Sequence, residues 1–277
     1  MLRIHSIIEE PIHILNYRSP VGDGRVSFET LPLYLAYSEG LPESVDALLL
    51  TADLQGVEMD GNDEPARLIG LQLAEELSIL SQLGAIPEAD RLGVCLCGDL
   101  YIDPELQKRG KNGDVRHVWN DFAGRFRWVV GVAGNHDHFG TGPKELAAFS
   151  KSPGIHFLDS DIVTLDGISI GGISGIIGNP ARPFRHDEET FRMYLRRLLS
   201  MEPDLILLHE GPQVDEMNCK GSPVIRSVID QGPATLIVSG HKNWDFPGFW
   251  KSVNGSQVIN VEGRAVLMVR ESFRGVT

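Results

Sequence analysis

Short, nearly continuous apolar runs recur along the chain at 45–52, 92–97, 128–132, 205–208 and 235–239. Runs of this length bounded by Gly, Asp or Asn predict strands buried on both faces. Helical spacing fills most of the intervals, over about 63–83, 115–126, 143–149 and 187–201. Asn62 or Asp63 caps the first of these helices, Pro65 suits its first turn and Gly84 its end. The last places Phe191, Tyr194, Leu195, Leu198 and Leu199 on one face. Further strands are predicted at 155–158, 162–165 and 168–173, with Asp166-Gly167 as a hairpin turn between the last two. The runs 257–261 and 265–269 read as an antiparallel pair closing the sheet. Residues 1–44 are harder to parse. Leu2 to Ile8 reads as an edge strand, while Pro11, Pro20, Gly22 and Gly24 break the next stretch into loops. Leu33 to Tyr37 suits a short helix or strand. No linker divides the chain, so 1–277 is expected to form one α/β domain, with 1–44 as an N-terminal extension or edge strand.

The residues at the strand ends change the picture. The five runs end on Asp53, Asp99, Asn135-His136, His209 and His241. Helices join several of these strands, as parallel strands require, and their carboxyl ends then share one rim. Any single residue of this set could merely cap a strand; five at the same end of five strands point to a site. The donors are carboxylate, amide and imidazole, with no thiolate. That set suits manganese, iron or zinc better than a soft-metal cage or an all-oxygen calcium site. Two cations roughly 4 Å apart, sharing a carboxylate, would polarise a phosphoryl group and make hydroxide available near neutral pH.

Charge narrows the substrate. The 277 residues carry a formal net charge of -13. A broad nucleic-acid or membrane surface needs a basic face, which this balance disfavours. A small anion held by cations and a few local arginines remains compatible. The three cysteines lack metal-ligand spacing and read as reduced thiols of a cytoplasmic protein. No apolar run reaches the roughly 20 residues of a membrane span.

Asp53, Gly98-Asp99, Gly134-Asn135-His136-Asp137, His209-x-Gly211-Pro212 and Gly240-His241 stand in the order found in calcineurin-like metallophosphoesterases, which the chain resembles from about residue 45 to its end. The resemblance implies a four-layer α-β-β-α sandwich of two mixed sheets flanked by helices. It implies two divalent metal ions, with Asp99 bridging them. Asn135, His209 and His241 would complete one site, and Asp53, Gln55 and Asn243 would face the other. A metal-bound hydroxide would attack phosphorus, with His136 as general acid or as a stabiliser of transition-state charge. Asp137 or His138 would orient it or stabilise the loop.

Two positions depart from the family pattern. Asp53-Leu54-Gln55 replaces Asp-x-His, and Gly240-His241-Lys242-Asn243 replaces Gly-His-x-His. Both missing imidazoles belong to one metal site. Amide oxygens there weaken zinc binding and favour manganese or magnesium. The expected activity is hydrolysis of a small or peptide-borne phosphoester, with manganese the preferred metal and iron, zinc or magnesium as alternatives. A non-catalytic, regulatory metal- or phosphate-binding protein with a degraded site is the competing reading. A nuclease fits the charge least. Arg182, Arg185 and His186, in a glycine-rich segment, are candidate substrate contacts or an ordinary surface loop. Oligomeric state is not legible.

Overall fold

Period-two alternation along the buried strands decides the layering. In the strand Ala47–Thr51, Ala47 and Leu49 pack toward Leu73, Leu77, Val118 and Phe122, while Leu48 and Leu50 face Leu207 and Val238 of another sheet. Leu205–Glu210 does the same: Leu205 and Leu207 turn to the space between the sheets, and Ile206 and Leu208 turn to Phe191, Leu195 and Ile225 on helices. Burial on both faces explains why these strands are apolar at nearly every position. Three cores separate four layers, helix–sheet–sheet–helix, the sandwich expected from the motifs.

The computed structural model describes residues 2–22, 24–59, 66–108 and 110–273. Among these, the larger sheet runs Ile155–Phe157, Trp128–Gly131, Leu92–Leu96, Ala47–Thr51, Ala265–Arg270, Arg25–Glu39, His13–Gly22 and Val57–Glu58, with Arg3–Ile7 also paired to Arg25–Glu39. The smaller runs Asp161–Leu165, Ile168–Ile173, Leu205–Glu210, Leu236–Gly240, Gln257–Asn260 and Phe249–Lys251. Ala47–Thr51, Leu92–Leu96 and Trp128–Gly131 are mutually parallel, as are Leu205–Glu210 and Leu236–Gly240. Their carboxyl ends therefore meet along one edge of the sandwich.

Three expectations need correction. The first helix begins at Ile69 with Leu68 as its N-cap, and residues 66–68 are not helical; Asn62, Asp63 and Pro65 lie outside the described residues. The stretch 13–32, expected as loops, belongs to a long antiparallel hairpin over 13–39, in which 33–37 takes the strand form of its two expected alternatives. Its prolines sit where a strand has one unpaired side: Pro32 precedes Leu33–Ser38, which pairs with Ala265–Arg270, and Pro20 lies beyond Tyr17 and Arg18, which pair with Val57–Glu58. Gln257–Asn260 and Ala265–Arg270 do not pair with each other. The chain crosses from the smaller sheet to the larger between them, and Ala265–Arg270 enters between Ala47–Thr51 and Arg25–Glu39. Both runs are buried almost throughout, as interior strands of separate sheets should be.

The turn Asp166-Gly167 closes its hairpin as expected, both residues having positive φ (51° and 89°). No helix among the described residues is long and apolar enough to cross a membrane. Cys95, Cys97 and Cys219 are free thiols, the first two inside the inter-sheet core.

Candidate metal centre

The rim residues are placed by tight turns where strand meets loop. Asp53, Asp99 and His241 have φ of 53°, 55° and 67°, a left-handed conformation that costs a non-glycine residue of order 1–3 kcal/mol. Hydrogen bonds across the sheets hold them there. Asp53 donates its N–H to the Gly98 carbonyl (2.8 Å), and its Oδ2 accepts the His241 N–H (2.8 Å). The two sheets are thus stitched together at the site. Neighbouring glycines permit the approach: a Cβ on Gly240 would lie 2.3 Å from Asp53 Oδ2, and one on Gly134 would lie 2.0 Å from Asp99 Oδ1.

Asp99, His209 and His241 converge, their ligand atoms all within 4.8 Å of one another. His209 Nδ1 lies 2.8 Å from the Cys97 carbonyl, so a proton on Nδ1 donates there and leaves the Nε2 lone pair aimed at the site. That Nε2 stands 3.3 Å from Asp99 Oδ2 and, like Asn135 Oδ1, is buried with no hydrogen-bond partner. A buried polar atom without a partner costs about 1–3 kcal/mol. The loop that carries Asn135 is tied to the Asp99 carboxylate through the His136 N–H, and two such unpartnered atoms suit the coordination of a cation.

The electrostatics agree. Burial, joined by the charges of Asp99 and Glu262, pushes the Asp53 carboxyl well above its ordinary range despite the pull of His209 and the His241 N–H. Burial also raises Asp99, but the charge and close approach of His209 and the N–H of His136 outweigh it and leave this carboxyl lowered. Burial opposes protonation of His209, yet Asp99 and Asp53 hold it up at about 10. His241 is driven down to about 3, by burial and then by the charge of His209. A divalent cation held among these groups would offset the charge of both buried carboxylates.

The remaining expected residues divide. Gln55 is drawn in, its Nε2 donating to Asp99 Oδ2 at 3.2 Å. Asn243 is exposed, and with His241 and Glu262 it lines a cavity of about 420 Å³. His136 is half-buried; its N–H donates to Asp99 Oδ1 (2.8 Å) and its ring faces outward, Nδ1 lying 3.2 Å from Asn112 Oδ1. The Asp137 carboxylate is buried and accepts three backbone N–H groups at 2.8 Å, from Asp99, Leu100 and Gly134, so it braces the two loops. His138 Nε2 lies 3.4 Å from Asn112 Nδ2. His186 is turned away: Nε2 meets the Ser174 carbonyl at 3.2 Å and the ring packs on Tyr194. Arg182 and Arg185 line a separate cavity that begins at His138.

Asn112 and Glu262 were not apparent in the sequence. Asn112 sits in a loop with no strand-end signal, although it touches His136, His138 and the Asn135 carbonyl (3.2 Å). Glu262 arrives from the crossover between the sheets, in a bridge with Ala52 next to Asp53. The mistaken hairpin at 257–269 concealed that placement.

A family model described as calcineurin-like phosphoesterase matches residues 46–244. One solved structure superposes with a TM-score of 0.53 at 12% identity, over 79% of this chain and 90% of its own length. A hypothetical protein from Thermus thermophilus aligns with a TM-score of 0.44 at 16% identity, over 79% and 76%. No curated protein matches. The family match spans every strand-end residue from Asp53 to Asn243, and the chain belongs to the calcineurin-like phosphoesterases.

Proposed function

We propose that the protein is a metal-dependent phosphoester hydrolase. The observation that carries this reading is the convergence of Asp99, His209 and His241, with two buried atoms, His209 Nε2 and Asn135 Oδ1, left without a hydrogen-bond partner. Family membership suggests metal-dependent phosphoester hydrolysis in general. In this reading Asp99, Asn135, His209 and His241 hold one divalent cation, and Asp53, Gln55 and Asn243 face a second, with Glu262 adding negative charge. Once bound, the cations would supply Lewis-acid polarisation of the phosphoryl group and lower the pKa of an attacking water.

The chain's own groups do the rest. His209 is fixed in one tautomer by the Cys97 carbonyl. Gly134 and Gly98 let the two loops approach closely enough for the Asp99 carboxylate to sit between them. His136 is held by its backbone to Asp99 and by its ring to Asn112, which leaves Nε2 free to give a proton to the departing oxygen. Manganese is the proposed preferred metal because oxygen donors replace two imidazoles. The test is turnover by metal-stripped protein reloaded with manganese, on a monoester, a diester, a cyclic nucleotide and a phosphopeptide. Hydrolysis of at least one is expected; none, at measured full occupancy, would overturn the reading.

A second reading is favoured by one observation: the Gln55 side-chain amide donates a hydrogen bond to the carboxylate proposed to bridge the cations. A protein that binds one cation for regulation would look the same. If Gln55→His with Asn243→His creates turnover absent from the native protein, that reading stands. Turnover by the native protein, abolished in His136→Ala with metal retained, excludes it.

A further inference from the structure

A cavity of about 620 Å³ begins two residues past His136. Phe139, Pro143, Leu146 and Phe184 give it an apolar lining, Arg182 and Arg185 give it two guanidinium groups, and His138, His186 and the Asp159 carboxylate also line it. One side chain joins it to the metal centre: Asn112 reaches His136 Nδ1 at 3.2 Å and His138 Nε2 at 3.4 Å.

Two features mark it as built to hold a ligand. First, Phe184 adopts φ of 49°, a left-handed conformation that is an outlier for a bulky residue. The fold enforces it. A Cβ on Gly175 would lie 1.9 Å from the Phe184 carbonyl oxygen, which accepts the Ile176 N–H (3.1 Å), and the ring packs 5.9 Å from Phe139 and 6.2 Å from Phe157. An aromatic ring is thus kept at the cavity against its backbone preference. Second, no carboxylate among the described residues pairs with Arg182 or Arg185, and the Arg185 guanidinium donates instead to the Pro183 carbonyl (3.3 Å). In a chain of net charge -13, two such guanidinium groups on one wall mark an anion subsite.

We propose that this cavity takes the alcohol portion of the phosphoester, and that this portion is an aromatic ring bearing a second anionic group. The ring lies against Phe139 and Phe184, and the second anion meets Arg182 and Arg185. The proposal rests on the phosphoester-hydrolase reading for its reacting phosphate, but the cavity's ligand can be tested without turnover.

The probe is 4-(phosphonomethyl)benzoate, a non-hydrolysable aryl phosphonate, titrated calorimetrically into manganese-loaded protein. Methylphosphonate is the control. The aryl probe is expected to bind at least tenfold more tightly, and that advantage to vanish in Arg182→Ala/Arg185→Ala. Phe184→Asn, which removes the ring but tolerates the left-handed backbone, is expected to weaken the aryl probe severalfold. For turnover, the ratio of kcat/KM for 4-carboxyphenyl phosphate to that for methyl phosphate should fall tenfold in the arginine variant. Equal binding of the two phosphonates, or an arginine variant that keeps the preference, overturns the proposal. Selective aryl binding that needs the arginines, with no turnover of these esters or of the diester, cyclic nucleotide and phosphopeptide, upholds the cavity and defeats the hydrolase reading.

Discussion

The side-chain amide of Gln55 donates to Asp99 Oδ2 at 3.2 Å. The carboxylate oxygen proposed to be shared by two cations is therefore met by a neutral donor standing where the family pattern has imidazole. Coordination would require the amide to turn its oxygen inward, which exchanges a donor for an acceptor at the same place. Gln55→His removes that step and supplies a softer nitrogen. Zinc affinity of the weaker site is expected to rise about tenfold, with manganese affinity changed less. Calorimetric titration with each metal checks this; identical zinc isotherms for the two proteins would remove Gln55 from the ligand set.

Asn112 separates positioning from metal binding. It contacts the His136 ring, the Asn135 carbonyl and His138, but offers nothing to Asp99, His209 or His241. Asn112→Ala should lower kcat about tenfold or more by freeing the His136 ring, against roughly 100-fold or more for His136→Ala. Metal content should stay unchanged in both. A variant that loses metal along with activity would show Asn112 to be holding the loop rather than the ring.

The rim was legible because it combines two strong signals, an apolar run of strand length and a polar residue immediately after it. Asp53 and Asp99 follow that rule in one sheet and His209 and His241 in the other, and a parallel ladder places each pair side by side. The hairpin at 13–39 was not legible because its prolines and glycines usually interrupt strands. They are accommodated on strand flanks that lack a partner, a feature only tertiary pairing reveals. Gln257–Asn260 and Ala265–Arg270 resembled a hairpin because only a short connection separates them. Sequence distance cannot distinguish a turn within a sheet from a step between sheets. Asn112 and Glu262 reach the site through such tertiary steps, and no local pattern marks them.

Asp166 provides a test of stability against pH away from the metal centre. Its carboxylate accepts from Arg127 Nε and Nη2 at 2.6 Å and from Trp128 Nε1 at 2.7 Å, and its φ of 51° closes the hairpin. The Arg127 hydrogen bond, then that of Trp128, hold its pKa below the ordinary 3.8. A lowered carboxyl stabilises the fold above the unfolded value and loses that contribution as pH falls through the folded value. Asp166→Asn keeps the left-handed tolerance and removes the charge, so it should cost about 1–2 kcal/mol at pH 7. The difference from wild type should begin to shrink as pH falls below the ordinary 3.8 and close only below the lowered folded value, where both carry a neutral side chain. Urea denaturation at pH 7 and pH 3 reads this out; a gap of constant size would exclude the ion pair as its source.

Asp137 follows the proposed acid in sequence, yet its geometry is that of a brace. Oδ2 accepts the N–H groups of Asp99 and Gly134, and Oδ1 accepts that of Leu100. These three donors lie on the two loops that carry Asp99 and Asn135, so the carboxylate sets the spacing of proposed ligands without facing the site. Asp137→Asn can keep its oxygen on the Asp99 and Gly134 donors, but its NH2 then confronts the Leu100 N–H. One buried donor left unsatisfied should cost about 1–3 kcal/mol. Asp137→Ala orphans all three and should cost more. Metal affinity should fall in the same order, because the ligands drift apart as the brace is lost. A direct role in proton transfer gives a different pattern: a large fall in kcat in Asp137→Asn, with denaturation midpoint and metal affinity both unchanged. Measuring all three quantities on the two variants decides between brace and catalyst.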